Sequence, residues 1–282
     1  MLPAYLWISS LVYAAVIGYF AGCLEDVSRL WILPVGYVGI FLLQIIGFFL
    51  LLWICSLFVN TEKPQEKESP FYRFLTKRVV ELAVPLLMKL HTTGTENIPK
   101  EGRFLLVSNH LFDLDPAVFL RCFPKSKLIF ISKRENQKMF LVGKFMHKLT
   151  CPLINRENDR EALKTILRCI QILKDDQASV AVFPEGYIHK EDRKLHHFRS
   201  GVFKIAQRAN VPIVVCTLQN TQYLKENIRR LKRTHVYMDL LTVIQPEQYQ
   251  GMTTVELGNH IYEIMAHHLG PENVSTEERT TL

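Results

Sequence analysis

The chain lacks most of the short devices that mark hydrolases and nucleotide enzymes. No Gly-x-Ser-x-Gly elbow, His-Glu-x-x-His pair, Walker loop or Gly-x-Gly-x-x-Gly turn occurs in its 282 residues. Each of these carries a specific mechanism, so their absence argues against a serine-elbow hydrolase, a zincin, a P-loop enzyme and a dinucleotide-binding domain. The six cysteines (Cys23, Cys55, Cys122, Cys151, Cys169 and Cys216) are scattered, with no Cys-x-x-Cys pair. That spacing argues against a zinc ribbon or disulfide scaffold and fits a reducing compartment. No internal repeat is evident, nor a nucleic-acid fold motif or basic-aromatic platform, so nucleic acid is not an expected partner.

Charge, too, is almost missing from the first part of the chain. Residues 1–59 hold only Glu25, Asp26 and Arg29. With a net charge of +7 overall, the remainder carries +8. Within the uncharged part, Leu6 to Gly22 is a short apolar segment and Trp31 to Val59 a longer one, past the about 20 residues that cross a bilayer core. The first lacks the basic n-region and small-residue cleavage site of a signal peptide. The two predict a helical hairpin over residues 1–60, with buried core helices as the alternative reading. Lys63, Lys67, Arg73, Lys77 and Arg78 follow the second segment, so the positive-inside rule predicts that both termini and the globular part are cytoplasmic. A basic domain tethered to such a hairpin suits an anionic membrane surface or phosphorylated substrates.

Thr61 to Pro70 reads as a polar linker. Phe71, Leu75, Val79, Leu82, Leu86 and Leu90 then recur at helical spacing, which predicts an amphipathic helix bent or broken near Pro85. An interfacial helix on the bilayer and ordinary core packing both fit that stripe. The linker and this helix occupy residues 61–95, a folded domain residues 96–270, and a flexible tail residues 271–282. Within the domain, strands are predicted at Phe104–Val107, Leu128–Ser132, Pro152–Ile154, Val180–Phe183, Pro212–Thr217 and Val236–Ile244. Helices are predicted at Pro116–Cys122, Gln137–Leu149, Asp159–Lys174, Phe198–Ala209 and Thr254–His268. Asn158 with Glu161, and Thr253 with Glu256, have capping-box spacing. The alternation predicts an α/β fold, a central sheet flanked by helices.

Two polar elements stand at the ends of apolar strands: Asn109-His-Leu-Phe-Asp-Leu-Asp-Pro116 and Phe183-Pro-Glu-Gly186. On a straight helix, residues five apart lie about 140° around the axis, so His110 and Asp115 can share a site only across a strand-to-helix turn. Pro116 supplies one, because it holds Asp115 extended and favours a helix starting at the proline. Asp115 can equally be a helix N-cap. The catalytic reading is a dyad in which His110 takes the proton of a substrate hydroxyl attacking an acyl thioester and Asp115 fixes the imidazole. Asp113 is a competing carboxylate. Such a dyad needs no enzyme nucleophile, in keeping with the missing serine elbow.

Four elements in register resemble the 1-acylglycerol-3-phosphate O-acyltransferases. They are Asn109-His110-x4-Asp115-Pro116, Leu153-Ile154-Asn155-Arg156, Phe183-Pro184-Glu185-Gly186 and Val211-Pro212-Ile213-Val214. Lys133 also matches a lysine often found in that family. The resemblance covers roughly residues 100–216. It implies acyl transfer from acyl-CoA or acyl-carrier protein to a lysophospholipid, with no cofactor and no metal. By analogy His110 and Asp115 are catalytic. Lys133, Arg156, Glu185 and Gly186 line the acceptor site, and Pro212 shapes the pocket. The chain departs from the pattern after Gly186, where Tyr187-Ile188-His189 replaces the usual Thr or Ser followed by Arg. Phe112 and Val215 also replace the residues usual at their positions. Lys190, Arg193 and Arg199 are near enough in sequence to stand in for the lost arginine. Lysophosphatidate is the leading acceptor, and another lysophospholipid is the alternative. Two readings from other classes stay open, a membrane-tethered anionic-lipid binder and a metal hydrolase using His110, Asp115 and Glu185.

Overall fold

A computed structural model describes residues 2–155 and 158–275. The chain opens with two antiparallel-packed apolar helices, α1 (Leu2–Phe20) and α2 (Ile32–Leu57). Both are long and apolar enough to cross a membrane. Most of their large side chains face outward, among them Trp7, Leu11, Leu43, Ile46 and Phe49. In water a face of this kind would be strongly unfavourable at about 25 cal/mol per Å².

Two polar contacts join the end of α2 to the globular part. The Tyr72 hydroxyl donates to the Cys55 carbonyl at 2.8 Å and Lys144 Nζ to the Ser56 carbonyl at 2.9 Å. Tyr72 belongs to α3 (Pro70–Leu87). Here the structure departs from the predicted boundaries. The helix runs through Pro85 but ends at Leu87, and Met88–Thr93 form strand β1. A proline there removes the N–H that would bond back to the preceding turn, so the helix stops within two residues. One face of α3 buries Tyr72, Leu75, Val80 and Val84, while Phe71, Phe74 and Leu86 stay exposed. Arg73, one of the basic residues after the second apolar segment, is buried. It pairs with Glu68 and donates to the Leu128 carbonyl at 2.7 Å.

The remaining elements follow in order: β2 (Leu105–Val107), α4 (Asp115–Cys122), β3 (Leu128–Phe130), β4 (Ser132–Lys133), α5 (Val142–Lys148), β5 (Leu153–Ile154), α6 (Asp159–Lys174), β6 (Ser179–Val182), α7 (Lys204–Ala209), β7 (Ile213–Gln219), α8 (Leu224–Arg229), β8 (Thr234–Ile244), α9 (Pro246–Tyr249) and α10 (Thr254–Leu269). Six strands make one sheet in the order β1-β8-β7-β2-β6-β3, and β4 pairs with β5 separately. Only the β7–β8 pairing in the six-stranded sheet is antiparallel.

The central strands β2, β6 and β7 are largely apolar because both of their faces are covered, as parallel strands require. Alternate residues point to opposite sides. Leu105, Val107, Val180, Val182, Ile213 and Val215 pack with Ile166, Ile170, Phe203, Leu257 and Ile261 from α6, α10 and the turn before α7. Leu106, Ala181, Val214 and Cys216 pack with Val80, Val84, Val118 and Phe119 of α3 and α4. The protein is thus an α/β fold, a central sheet flanked by helices and preceded by an apolar helical pair. Helix α5 is shorter than predicted, because Leu141 takes a left-handed φ of 59° and breaks the run from Gln137. Residues 276–282 of the predicted tail lie outside the described residues, whereas Pro271–Asn273 form a short 3-10 turn.

Candidate active site

Strands β2, β6 and β7 lie side by side, with β2 between the other two and all three running parallel. Their C-terminal ends therefore open on one edge of the sheet, where open α/β folds place their ligands. His110 follows β2 there and Phe183–Gly186 follows β6. Asn109 ties the edge to β7: its amide donates to the Leu218 carbonyl at 2.9 Å, and the Leu218 N–H donates to its Oδ1 at 2.7 Å.

The turn after β2 wraps around one oxygen. Asp115 Oδ2 accepts from His110 Nδ1 at 2.9 Å and from the N–H groups of Leu111 at 2.7 Å and Phe112 at 2.9 Å. Asp115 is fully buried and begins α4, but its side chain reaches back to the preceding turn rather than capping the helix. That arrangement fixes Nδ1 as the protonated nitrogen and leaves Nε2 with its lone pair. Among the described residues Nε2 has no hydrogen-bond partner. The ring is stacked on Phe183, with centroids 4.1 Å apart at 12°, and its side chain is 16% exposed. The base is therefore held rigidly and still reachable. Asp113 is exposed and bonds to none of the described residues, so of the two carboxylates Asp115 is the one that meets His110.

Glu185 is buried across the same turn. Its Oε1 accepts from the His110 N–H at 2.8 Å and its Oε2 from the His196 N–H at 3.2 Å. Burial pushes its carboxyl up to about 8, against the two backbone N–H bonds, which act the other way; the neighbouring Asp115 and Asp192 add to the rise. At 2% exposure, with both oxygens bonded to backbone N–H groups, Glu185 presents no open face to a ligand in this structure. The expected acceptor-binding role is corrected to that of a brace between the loop of His110 and the loop that follows Gly186. With Asp115 and Glu185 committed to backbone N–H groups, the metal-hydrolase reading on His110, Asp115 and Glu185 loses its ligands. Among the described residues, the group of metal-type side chains that does converge is His189, Asp192 and His196.

Gly186 takes φ +89°, and a Cβ there would stand 3.0 Å from Arg199 Nε. Arg199 thus lies over the turn, with its N–H donating to the Pro184 carbonyl at 2.9 Å. Of the basic residues near the lost arginine, Arg193 is turned away, 3.6 Å from Glu226 and over the Tyr223 ring. Arg199 is exposed and forms no ion pair with a described residue. Lys133 ends β4, exposed, and among the described residues no hydrogen bond or ion pair joins it to the dyad. Arg156 lies outside the described residues.

Pro212 requires a second correction. It precedes β7 and its carbonyl accepts from the Leu105 N–H at 2.9 Å, at the N-terminal end of β2. There it lines a surface depression with Asn97, Pro99, Thr242 and Gln245. The dyad follows the opposite end of β2, so Pro212 does not shape its pocket. Sequence reasoning missed Asn109 as a clamp, Phe183 as the platform for the imidazole and the His196 N–H as the second donor to Glu185. The first two stand inside quoted motifs, but no spacing rule points to His196.

Comparison with known proteins places the chain in a family. A family model described as Acyltransferase matches residues 89–219, a span holding both the dyad and Glu185. A probable 1-acyl-sn-glycerol-3-phosphate acyltransferase of Mycoplasma pneumoniae is 30% identical over 239 residues, covering 78% of this chain and 88% of the relative. A 1-acyl-sn-glycerol-3-phosphate acyltransferase of Borreliella burgdorferi is 26% identical over 168 residues, covering 58% of this chain and 66% of the relative. The crystal structure of the acyltransferase PlsC from Thermotoga maritima superposes with a TM-score of 0.59 at 18% identity, over 81% of this chain and 89% of that one. This chain is an acyltransferase, and it belongs to the family of the 1-acyl-sn-glycerol-3-phosphate acyltransferases.

Proposed function

We propose that the protein moves a fatty acyl group from acyl-CoA or acyl-carrier protein to the free hydroxyl of 1-acylglycerol 3-phosphate, giving phosphatidic acid at a membrane surface. The observation that carries this reading is the imidazole of His110, anchored through Nδ1 to a buried carboxylate with Nε2 left as the base. The acceptor hydroxyl gives its proton to Nε2 as its oxygen attacks the thioester carbonyl. Collapse of the tetrahedral intermediate breaks the C–S bond, and the departing thiolate takes the proton from the imidazolium. Asp115 stabilises that imidazolium without itself gaining the proton. The exchange of thioester for ester draws on no further cofactor.

Arg199 is the acceptor's phosphate anchor in this reading. A guanidinium grips phosphate through two parallel N–H···O bonds that lysine cannot reproduce. Its place over Gly186, beside the turn that stacks on His110, supports the assignment. The apolar faces of α1 and α2 support a hairpin through the bilayer, and the basic residues after α2 support a cytoplasmic domain. Exposed Phe71 and Phe74 on α3 would then meet the interface.

The test is to incubate the purified full chain with labelled acyl-CoA or acyl-carrier protein and a panel of lysolipids. Lysophosphatidate should be the preferred acceptor. Arg199→Ala should lower its kcat/KM about tenfold or more through KM, with acceptors lacking a phosphate monoester less affected, and Arg199→Lys should restore it only in part. Equal loss for every acceptor would remove Arg199 from headgroup recognition. Turnover of a different lysolipid alone would replace the acceptor. For topology, a cysteine placed in the Glu25–Arg29 loop should react with an impermeant thiol reagent from outside and one after Lys63 should not.

A further inference from the structure

Beyond the dyad, the loop between Gly186 and Arg199 gathers a second group of side chains that acyl transfer does not use. His189, Asp192 and His196 each bring one nitrogen or oxygen to within 4.8 Å of the others. His196 Nε2 lies 2.9 Å from both oxygens of Asp192. The His189 and His196 rings are stacked, with centroids 3.3 Å apart at 2°, and Tyr187 flanks His189 at 4.1 Å. The backbone under them is fixed. The Arg193 N–H donates to the His189 carbonyl at 3.1 Å, the Leu195 N–H to Asn273 at 2.8 Å, and the Ser275 N–H to the Leu195 carbonyl at 2.9 Å.

We propose that His189, Asp192 and His196 bind a divalent transition metal of the zinc class and that this metal pins the loop carrying Arg199. Two imidazole nitrogens and a carboxylate oxygen are the donor set such cations take, with water completing four-coordination. A single proton can link His196 to Asp192 only as a pair. Parallel rings at stacking distance present their edges side by side and cannot hydrogen-bond to each other. A cation in place of that proton engages all three side chains at once.

Ligand atoms around tetrahedral zinc lie about 3.4 Å apart, so the widest present separation must close by roughly 1.4 Å. Asp192, the more exposed member, is the one with room to move. His196 is the fixed one, its side chain 8% exposed against 34% for Asp192. The consequence reaches the active site through the His196 N–H, which holds Glu185 at 3.2 Å. Three residues further on, Arg199 stands over Gly186. A metal here is a clip behind the reaction centre; it touches no reacting atom.

The experiment uses the full chain in detergent, stripped with chelator and titrated with zinc against a chromophoric chelator. One saturable equivalent per chain is expected, weakened at least tenfold by His189→Ala and by Asp192→Asn. Cobalt in place of zinc should give the visible absorption of a four-coordinate ion in the parent chain and lose it in both variants. Zinc should raise the unfolding temperature of the parent and not of His189→Ala, since a ligand bound only by the folded state stabilises it. Matching circular dichroism of the metal-free proteins establishes that the variants fold. The stacked pair His91 and His235, with ring nitrogens 3.1 Å apart, is the competing site. His91→Ala should leave the equivalent intact. Absence of a saturable equivalent below about 100 μM, its persistence in both loop variants, or its loss with His91→Ala overturns the proposal. None of these readouts depends on turnover, so they stand or fall apart from the acyl-transfer assignment.

Discussion

Asp115→Asn tests the dyad with almost no change of shape. In the parent, Oδ2 accepts three hydrogen bonds, from His110 Nδ1, Leu111 N–H and Phe112 N–H, while buried Oδ1 has no partner among the described residues. The asparagine oxygen can occupy the Oδ2 position and keep all three, with its amide at the Oδ1 position. The local turn should therefore survive, at the cost of one buried, unpaired amide worth about 1–3 kcal/mol. What is lost is the negative charge facing the imidazolium. Hydrogen bonds to an ionised acceptor are roughly twice as strong as neutral ones, and the difference is felt mainly when His110 carries the acceptor's proton. A fall in kcat of about 10²–10⁴ is expected, equivalent to about 2.7–5.5 kcal/mol of barrier, with the KM values for both substrates little changed. The assay is release of free CoA thiol at saturating acceptor and donor, beside circular dichroism of the purified variant. Asp113→Asn is the control, because Asp113 is exposed and bonds to nothing described; it should retain near-parent turnover. A mild Asp115→Asn, or a damaging Asp113→Asn, would refute the assignment.

Three further outcomes follow from the geometry. The Glu185 carboxyl is raised by burial from 4.5 to about 8, so the folded state holds its proton where the unfolded chain has lost it. Its contribution to stability is complete below about pH 4.5 and is lost as pH climbs through 8, by at most about 5 kcal/mol. Thermal unfolding between pH 5 and 8 should fall more steeply for the parent than for Glu185→Gln; parallel curves would refute the raised value. Asn109→Ala strips three buried hydrogen bonds, two with Leu218 and one from the Ser108 hydroxyl, and orphans the Leu218 N–H, so chemical denaturation should show a loss of about 2–4 kcal/mol. Gly186→Ala strains a left-handed turn by about 1–2 kcal/mol and pushes on Arg199. It should raise the KM for lysophosphatidate more than it lowers kcat, and an unchanged KM would separate Arg199 from the acceptor.

Legibility in the sequence followed the range of the forces involved. Helix α6 begins and ends as read, because Asn158 caps it by accepting from the Glu161 N–H at 3.1 Å. The capping box is only half formed, since Glu161 accepts instead from Asn155. The strand-to-helix turn at His110 was legible because Pro116 leaves the chain few conformations. Strand β1 was not. Leu86 and Leu90 continue the helical stripe of α3 in sequence, and only pairing with β8 pulls Met88–Thr93 into the sheet. Arg73 was legible only as one of the basic residues that orient the hairpin, because its partners, Glu68 and the Leu128 carbonyl, converge only after folding. Pro212 was placed in the pocket by motif order alone, while strand direction puts it at the far end of β2.

Two carboxyl groups share the turn of His110 and do different work there. Burial raises the Glu185 carboxyl and nearby Asp115 adds to the rise, so the two resist ionising together. Burial settles the division of labour. The carboxyl that receives three N–H donors on one oxygen faces the ring. The other, with one backbone N–H to each oxygen at 2.8 and 3.2 Å, holds the turn from behind. A loop brace that keeps its proton to about pH 8 adds rigidity at the dyad without adding a second anion to it.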